Sequence, residues 1–130
     1  WGLSPEQLEA APEHQATVAY TRFVLDCGVS GDLLDLHVAL SPCIVGYAEI
    51  GARLAGEIGP ALDNHPYRDW IGEYAGQAYQ QVARDARRHL DALAARAMTE
   101  ARFDELARLF GQASKLEADF WQMGLEAAGP

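Results

Sequence analysis

Between Asp32 and Glu57 the apolar residues Leu33, Leu36, Leu40, Cys43, Tyr47, Ile50 and Leu54 recur three or four apart, which keeps them on one face of a helix. A stripe of that length has to be buried against partners of similar length, so the chain is constrained toward packed helices before anything else in it is read. Pro42 lies inside the stripe. Its ring removes the hydrogen bond to the carbonyl four residues back, so the spacing predicts a kink just before Cys43 and a carbonyl near His37–Val38 that needs another partner.

The remaining segments agree with an all-α architecture. Alanine is very frequent and β-branched residues are sparse, a composition that favours helix throughout. Ser4-Pro5-Glu6-Gln7 has the arrangement of a capping box with proline at the first helical position, opening a short helix that Pro12 closes. Tyr20, Phe23, Val24 and Cys27 mark a second helix over about 13–28, ended by Gly28 and Ser30-Gly31. After the long third helix, Gly59-Pro60 and Asp63-Asn64-His65-Pro66 read as a loop. Tyr67, Trp70, Ile71 and Tyr74 then form an aromatic stripe on a short helix. Gly76 separates this from a long helix carrying Tyr79, Val82, Ala86, Leu90, Leu93 and Ala97, and Thr99-Glu100 caps a last helix running to about Glu126. No internal repeat or linker divides the chain, so residues 1–130 are expected to form a single all-α bundle.

Bulk properties narrow the function. A formal charge of -9 disfavours nucleic acid and anionic lipid surfaces, and no run of eighteen apolar residues marks a membrane span. Two cysteines, Cys27 and Cys43, suit a reducing compartment better than a disulfide framework, which points to the cytoplasm. The opening Trp1-Gly2-Leu3 lacks the features of a leader and is expected to be internal to a longer chain.

Three features could carry chemistry. The apolar face of the last helix reads Phe103, Leu106, Phe110, Ala113, Glu117, Phe120 and Gly124, so a carboxylate occupies a position that the periodicity assigns to the core. A desolvated carboxyl group has a raised pKa and suits proton transfer near neutral pH; a glutamate that reaches outward, or pairs with an arginine, satisfies the same spacing. Cys43 and Tyr47, four apart, are neighbours on one face, where the thiol is either part of a site or a small core hydrophobe. Tyr20, Tyr47 and Tyr74 fall on inward faces and could converge on a flat polar ligand or sit at the core margin. The histidines are scattered, without metal-ligand spacing, and no phosphate loop or nucleotide fingerprint occurs, so no metal and no cofactor are expected. Arg84, Arg87 and Arg88 read as a solvated helix face.

Ser41-Pro42-Cys43-Ile44-Val45-Gly46-Tyr47, His65-Pro66-Tyr67-Arg68-Asp69-Trp70-Ile71-Gly72-Glu73-Tyr74 and Glu117-Ala118-Asp119-Phe120-Trp121-Gln122-Met123, in that order, strongly resemble the TenA family, also called thiaminase II. The resemblance implies a fold similar to haem oxygenase without the haem, a homotetramer, and hydrolysis of aminopyrimidines. The implied substrate is 4-amino-5-aminomethyl-2-methylpyrimidine, converted to the hydroxymethylpyrimidine salvaged for thiamine synthesis, or thiamine itself. By match to the motifs, Cys43 is the implied nucleophile, Glu117 the acid/base, and Tyr20, Tyr47, Tyr74 and Phe120 line the pocket. Hydrogen bonds from the phenols are expected to lower the thiol pKa.

Two departures stand beside the resemblance. Ile44-Val45-Gly46 occupies positions where many members carry aromatic residues, which implies a less aromatic wall. Family chains also begin with further helices bearing an aspartate that grips the aminopyrimidine. The chain is therefore expected to be the C-terminal part of a TenA-like domain, with a non-catalytic pyrimidine-binding or assembly module as the alternative. A segment without those helices is expected to expose part of its core-facing stripes.

Overall fold

The computed structural model describes residues 2–127, and among them it is built of helices and turns without strands. Trp1, on which the expectation of an internal start rests, lies outside the described residues. The order is α1 (Pro5–Glu9), α2 (Gln15–Ser30), α3 (Leu33–Ser41), a π-helical turn (Pro42–Gly46), α4 (Tyr47–Ile58), a 3-10 turn (Gly59–Asn64), α5 (Arg68–Ala75), α6 (Gln77–Ala97) and α7 (Glu100–Ala127).

Local chemistry sets most of the boundaries. Ser4 and Gln7 form the reciprocal capping box of α1, although that helix ends at Glu9 rather than running to Pro12. The His14 ring accepts from the Ala16 amide at 3.2 Å and opens α2, which continues through Gly28 to Ser30. Asp32 and Asp35 cap α3 in the same reciprocal way, and Arg102 of α7 bridges both carboxylates at 2.8 and 2.9 Å, tying the starts of two helices together. Gly59 ends α4 at φ +54°, a conformation that side chains disfavour.

The principal core lies between α3, α6 and α7. Leu34 and Val38 meet Leu106, with Leu90, Leu93, Ala94, Ala97 and Leu109 packed around them. This corrects the stripe drawn from the spacing: Leu33 and Ile50 are exposed, and the buried positions of α3 and α4 are Leu34, Val38, Ala39, Ala48 and Gly51. The reason is twofold. α3 has neighbours on several sides, so its inward surface is wider than one stripe, and the π-turn changes the angular phase between α3 and α4. Leu36, Leu40, Cys43 and Tyr47 are half-buried, and the Leu36 side chain lies against Gly28 of α2. On α7, Leu106, Ala113 and Glu117 are buried while Phe103 and Phe110 stand exposed.

α4 and α5 pack closely because Gly51 has no side chain; a Cβ there would lie 2.7 Å from the Tyr74 Cβ and 2.9 Å from the Ala75 nitrogen. The continuous helical stretch Leu33–Asn64 is long enough to cross a membrane, and one 18-residue window reaches a mean hydropathy of 1.4. It packs against α2, α5, α6 and α7 and carries Glu49, Arg53 and Glu57, and 28% of that window is buried.

Candidate active site

Pro42 leaves the Val38 carbonyl without its helical donor, and the Ser41 hydroxyl donates to it at 2.7 Å. That is the carbonyl the spacing left in need of a partner. The helix continues through a π-turn instead of breaking, and Cys43 is its second residue. The Cys43 thiol is half-buried and donates to the Leu40 carbonyl at 3.1 Å; Cys27, the other free cysteine, is buried in α2.

Glu117 is 7 % exposed, so it does not reach outward. Its partner is a phenol, not an arginine: the Tyr47 hydroxyl donates to Oε1 in a short hydrogen bond. The second carboxylate oxygen, Oε2, is buried with no partner, and so is the Tyr20 hydroxyl. Unsatisfied buried polar atoms are unusual, and here two of them belong to residues close to one thiol.

The electrostatics follow from that crowding. Burial, then the neighbouring Cys43 and Glu117, push the Tyr20 hydroxyl well above the usual phenol range. Burial and the Glu117 carboxylate do the same to Tyr47. The Cys43 thiol is also pushed up, contrary to the expectation that phenol hydrogen bonds would lower it. Burial is the largest influence, the Glu117 charge adds to it, and the nearby Tyr20 hydroxyl, which favours the thiolate, is too little to reverse them.

Aromatic rings form the wall beside these groups. Tyr47 packs edge-on against Tyr74 at 5.1 Å and against Trp121 at 5.6 Å, and Trp70 lies 4.6 Å from Tyr74 and 5.5 Å from Trp121. Cys43, Glu117, Tyr20, Tyr47 and Tyr74 therefore come together. Phe120, half-buried one turn beyond Glu117, stands outside the ring cluster, whereas Trp121 belongs to it. Trp70 and Tyr79 also join this wall, and both are on helix faces that the sequence marks as apolar without marking them as part of a site.

Glu117 also borders an open groove of about 490 Å³ between the π-turn, α6 and α7, lined by Val45, Gly46, Leu90, Phe110 and Ser114 among others. Among the described residues no three His, Cys, Asp or Glu side chains gather as metal ligands. Three arginines of α6 are engaged: Arg87 with Glu49 of α4, Arg88 with Asp85 and Arg84 with Gln81.

Comparison with known proteins gives the family. Residues 1–127 match the TENA/THI-4/PQQC family. An uncharacterized protein of Haemophilus influenzae is 39% identical over 98% of this chain and 59% of its own length. An aminopyrimidine aminohydrolase of Halalkalibacterium halodurans is 37% identical over 94% of this chain and 54% of its own. Among solved structures, a TenA family transcription regulator from Silicibacter sp. TM1040 superposes with a TM-score of 0.85 at 46% identity, covering 95% of this chain and 56% of that one. A TenA homologue from P. horikoshii OT3 does so at 0.77 and 28% identity, covering 93% and 54%. The chain thus spans a little over half the length of these relatives.

Proposed function

The chain belongs to the TENA/THI-4/PQQC family, and from that membership we propose that the whole protein hydrolyses the exocyclic C–N bond of an aminopyrimidine, converting 4-amino-5-aminomethyl-2-methylpyrimidine to its hydroxymethyl product in thiamine salvage. The observation that carries this reading is the pair of unspent hydrogen-bonding groups, the Tyr20 hydroxyl and Glu117 Oε2, both buried in the neighbourhood of the Cys43 thiol. A polar ring entering there gives both a partner, and the edge-on rings of Tyr47, Tyr74 and Trp121 supply apolar surface beside it.

Direct displacement of an amine from a ring methylene is slow. Addition of the Cys43 thiolate to the pyrimidine forms a C–S bond and ends the ring's aromaticity, so nitrogen lone pairs can expel the amine. The thiol proton goes to the Glu117 carboxylate, which delivers it to the leaving nitrogen. Water then adds to the methylene carbon, giving a proton back to Glu117, and loss of the thiolate, which recovers that proton, restores the ring. One water is consumed and one ammonia released. Because burial raises the thiol pKa, the Tyr20 hydroxyl is the donor available to hold the thiolate once its proton has left. Cleavage of thiamine, with the thiazole leaving, follows the same course.

The two free thiols suit the cytoplasm, and a homotetramer is the assembly we assign. A regulatory role through DNA is the second reading, because the Silicibacter relative carries that name. The charge of -9 and the engagement of Arg84, Arg87 and Arg88 speak against it. Salt-dependent binding of duplex DNA in a mobility assay would favour the regulator. For the enzyme, ammonia and hydroxymethylpyrimidine release by the whole protein is expected, with a loss of about 10³-fold or more in Cys43→Ala. A Cys43→Ala protein with full turnover excludes the nucleophile.

A further inference from the structure

A cysteine on a π-turn is held by i→i+5 bonds in place of the regular helical ladder, so a contact from outside the turn can decide its register. In this chain the outside contact comes from α6. The Tyr79 hydroxyl donates to the carbonyl of Cys43 at 3.3 Å, the long end of the useful range. Its ring packs edge-on against Tyr74 at 4.6 Å, and Tyr74 packs edge-on against Tyr47 at 5.1 Å. Tyr47 in turn donates to Glu117. A single run of three tyrosines therefore joins the backbone of the thiol residue to the carboxylate across the site. The next residue, Gln80, anchors the same corner: its amide donates to the Ala48 carbonyl at 2.7 Å and the Tyr74 carbonyl at 2.8 Å, binding α4 and α5 to α6.

We propose that Tyr79 is a positioning residue for Cys43: by holding the carbonyl of the π-turn against the aromatic wall, it keeps the thiol sulfur facing the Tyr20 hydroxyl and Glu117. It touches no substrate in this account and acts only through Cys43. The proposal deepens the functional reading above and rests on it for the consequence in turnover, although the geometry of the thiol can be tested without any substrate. The titratable groups around the thiol are Tyr20 from α2, Tyr47 from α4, Tyr79 from α6 and Glu117 from α7. Of these, Tyr20 is the one that favours the thiolate, and its hydroxyl has no other partner. A sulfur that drifts out of register moves away from that donor, so its ionisation should move further upward.

The test uses the whole protein and its Tyr79→Phe, Tyr20→Phe and double variants. In each, the rate of iodoacetamide alkylation is followed at the peptide carrying Cys43 as a function of pH. Tyr79→Phe keeps the ring and removes only the hydroxyl. The expected result is an upward shift of the alkylation midpoint by about half a unit or more. Tyr20→Phe should shift it the same way, and the double variant should shift it little beyond Tyr20→Phe alone, because both changes remove one interaction. With the aminopyrimidine, kcat should fall about tenfold while KM stays within about twofold. A Tyr79→Phe midpoint equal to the wild type, or a double variant whose shift is the sum of the singles, overturns the proposal. A loss of melting temperature without a midpoint shift likewise makes Tyr79 structural only. If the midpoints behave as expected and no aminopyrimidine is turned over by any form, the functional reading fails and the positioning role stands.

Discussion

Tyr47 and Glu117 are the residues on which the site depends most directly. A buried carboxylate with one oxygen bonded and the other free has little to spare. Tyr47→Phe removes its donor and should destabilise the protein by about 1–3 kcal/mol, measured by denaturant unfolding, while Glu117→Gln should cost less stability and lower turnover by about 10²–10⁴-fold. Equal stability losses in both variants, with turnover intact, contradict the proton-transfer role. The pH dependence has a definite sign. Cys43, Tyr20 and Tyr47 all ionise above their ordinary values in the folded state. Above about pH 9 the unfolded chain therefore releases protons that the folded chain retains, and stability should fall as pH rises further. A melting temperature level between pH 8 and pH 11 goes against the burial of these groups. Glu117 was legible in the sequence because it breaks an apolar period, and Cys43 because it follows a proline. The raised thiol was not legible, since burial outweighs the influence of the nearby Tyr20 phenol by an amount that only packing decides.

At the level of elements, two close approaches hold the site's frame. Gly51 lets α4 lie against α5 and so sets Tyr47 beside Tyr74. Gly51→Ala places a methyl group against backbone atoms and should cost about 1–3 kcal/mol, with turnover reduced as Tyr74 is pushed away. Unchanged unfolding midpoints in that variant would mean that the helices separate freely. The second is the Arg102 clamp on the caps of α3. Arg102 holds the Asp32 carboxyl well below the usual carboxylate range, so the stability it lends is present above about pH 4 and lost as pH falls below that. Arg102→Met should flatten the acid side of the stability profile, and an unaltered acid limb contradicts the clamp. Helix existence and order were readable from caps, glycines and periodicity. The side of α3 that is buried was not, because the π-turn at Pro42 alters the phase of everything before it relative to α4, and a proline predicts a kink without specifying its hand or width.

For the whole molecule, the exposed apolar residues matter. Phe103 at 61% and Phe110 at 47% exposure lie on the face of α7 that the sequence marks as core, and Phe110 borders the groove beside Glu117. Relatives of this chain are nearly twice as long as the part it matches. We propose that the remaining part of the whole protein covers this face and completes the pocket, so residues 2–127 alone should bind a hydrophobic dye and self-associate. A sharp, reversible, monomeric melt of that segment would argue otherwise. The most direct test of the central claim remains turnover. The whole protein, given 4-amino-5-aminomethyl-2-methylpyrimidine, should release ammonia and the hydroxymethylpyrimidine in equal amounts, and its Cys43→Ala variant should bind the substrate and release neither. Equal rates from the two proteins, or binding by the wild type with no product at any pH, contradict the account.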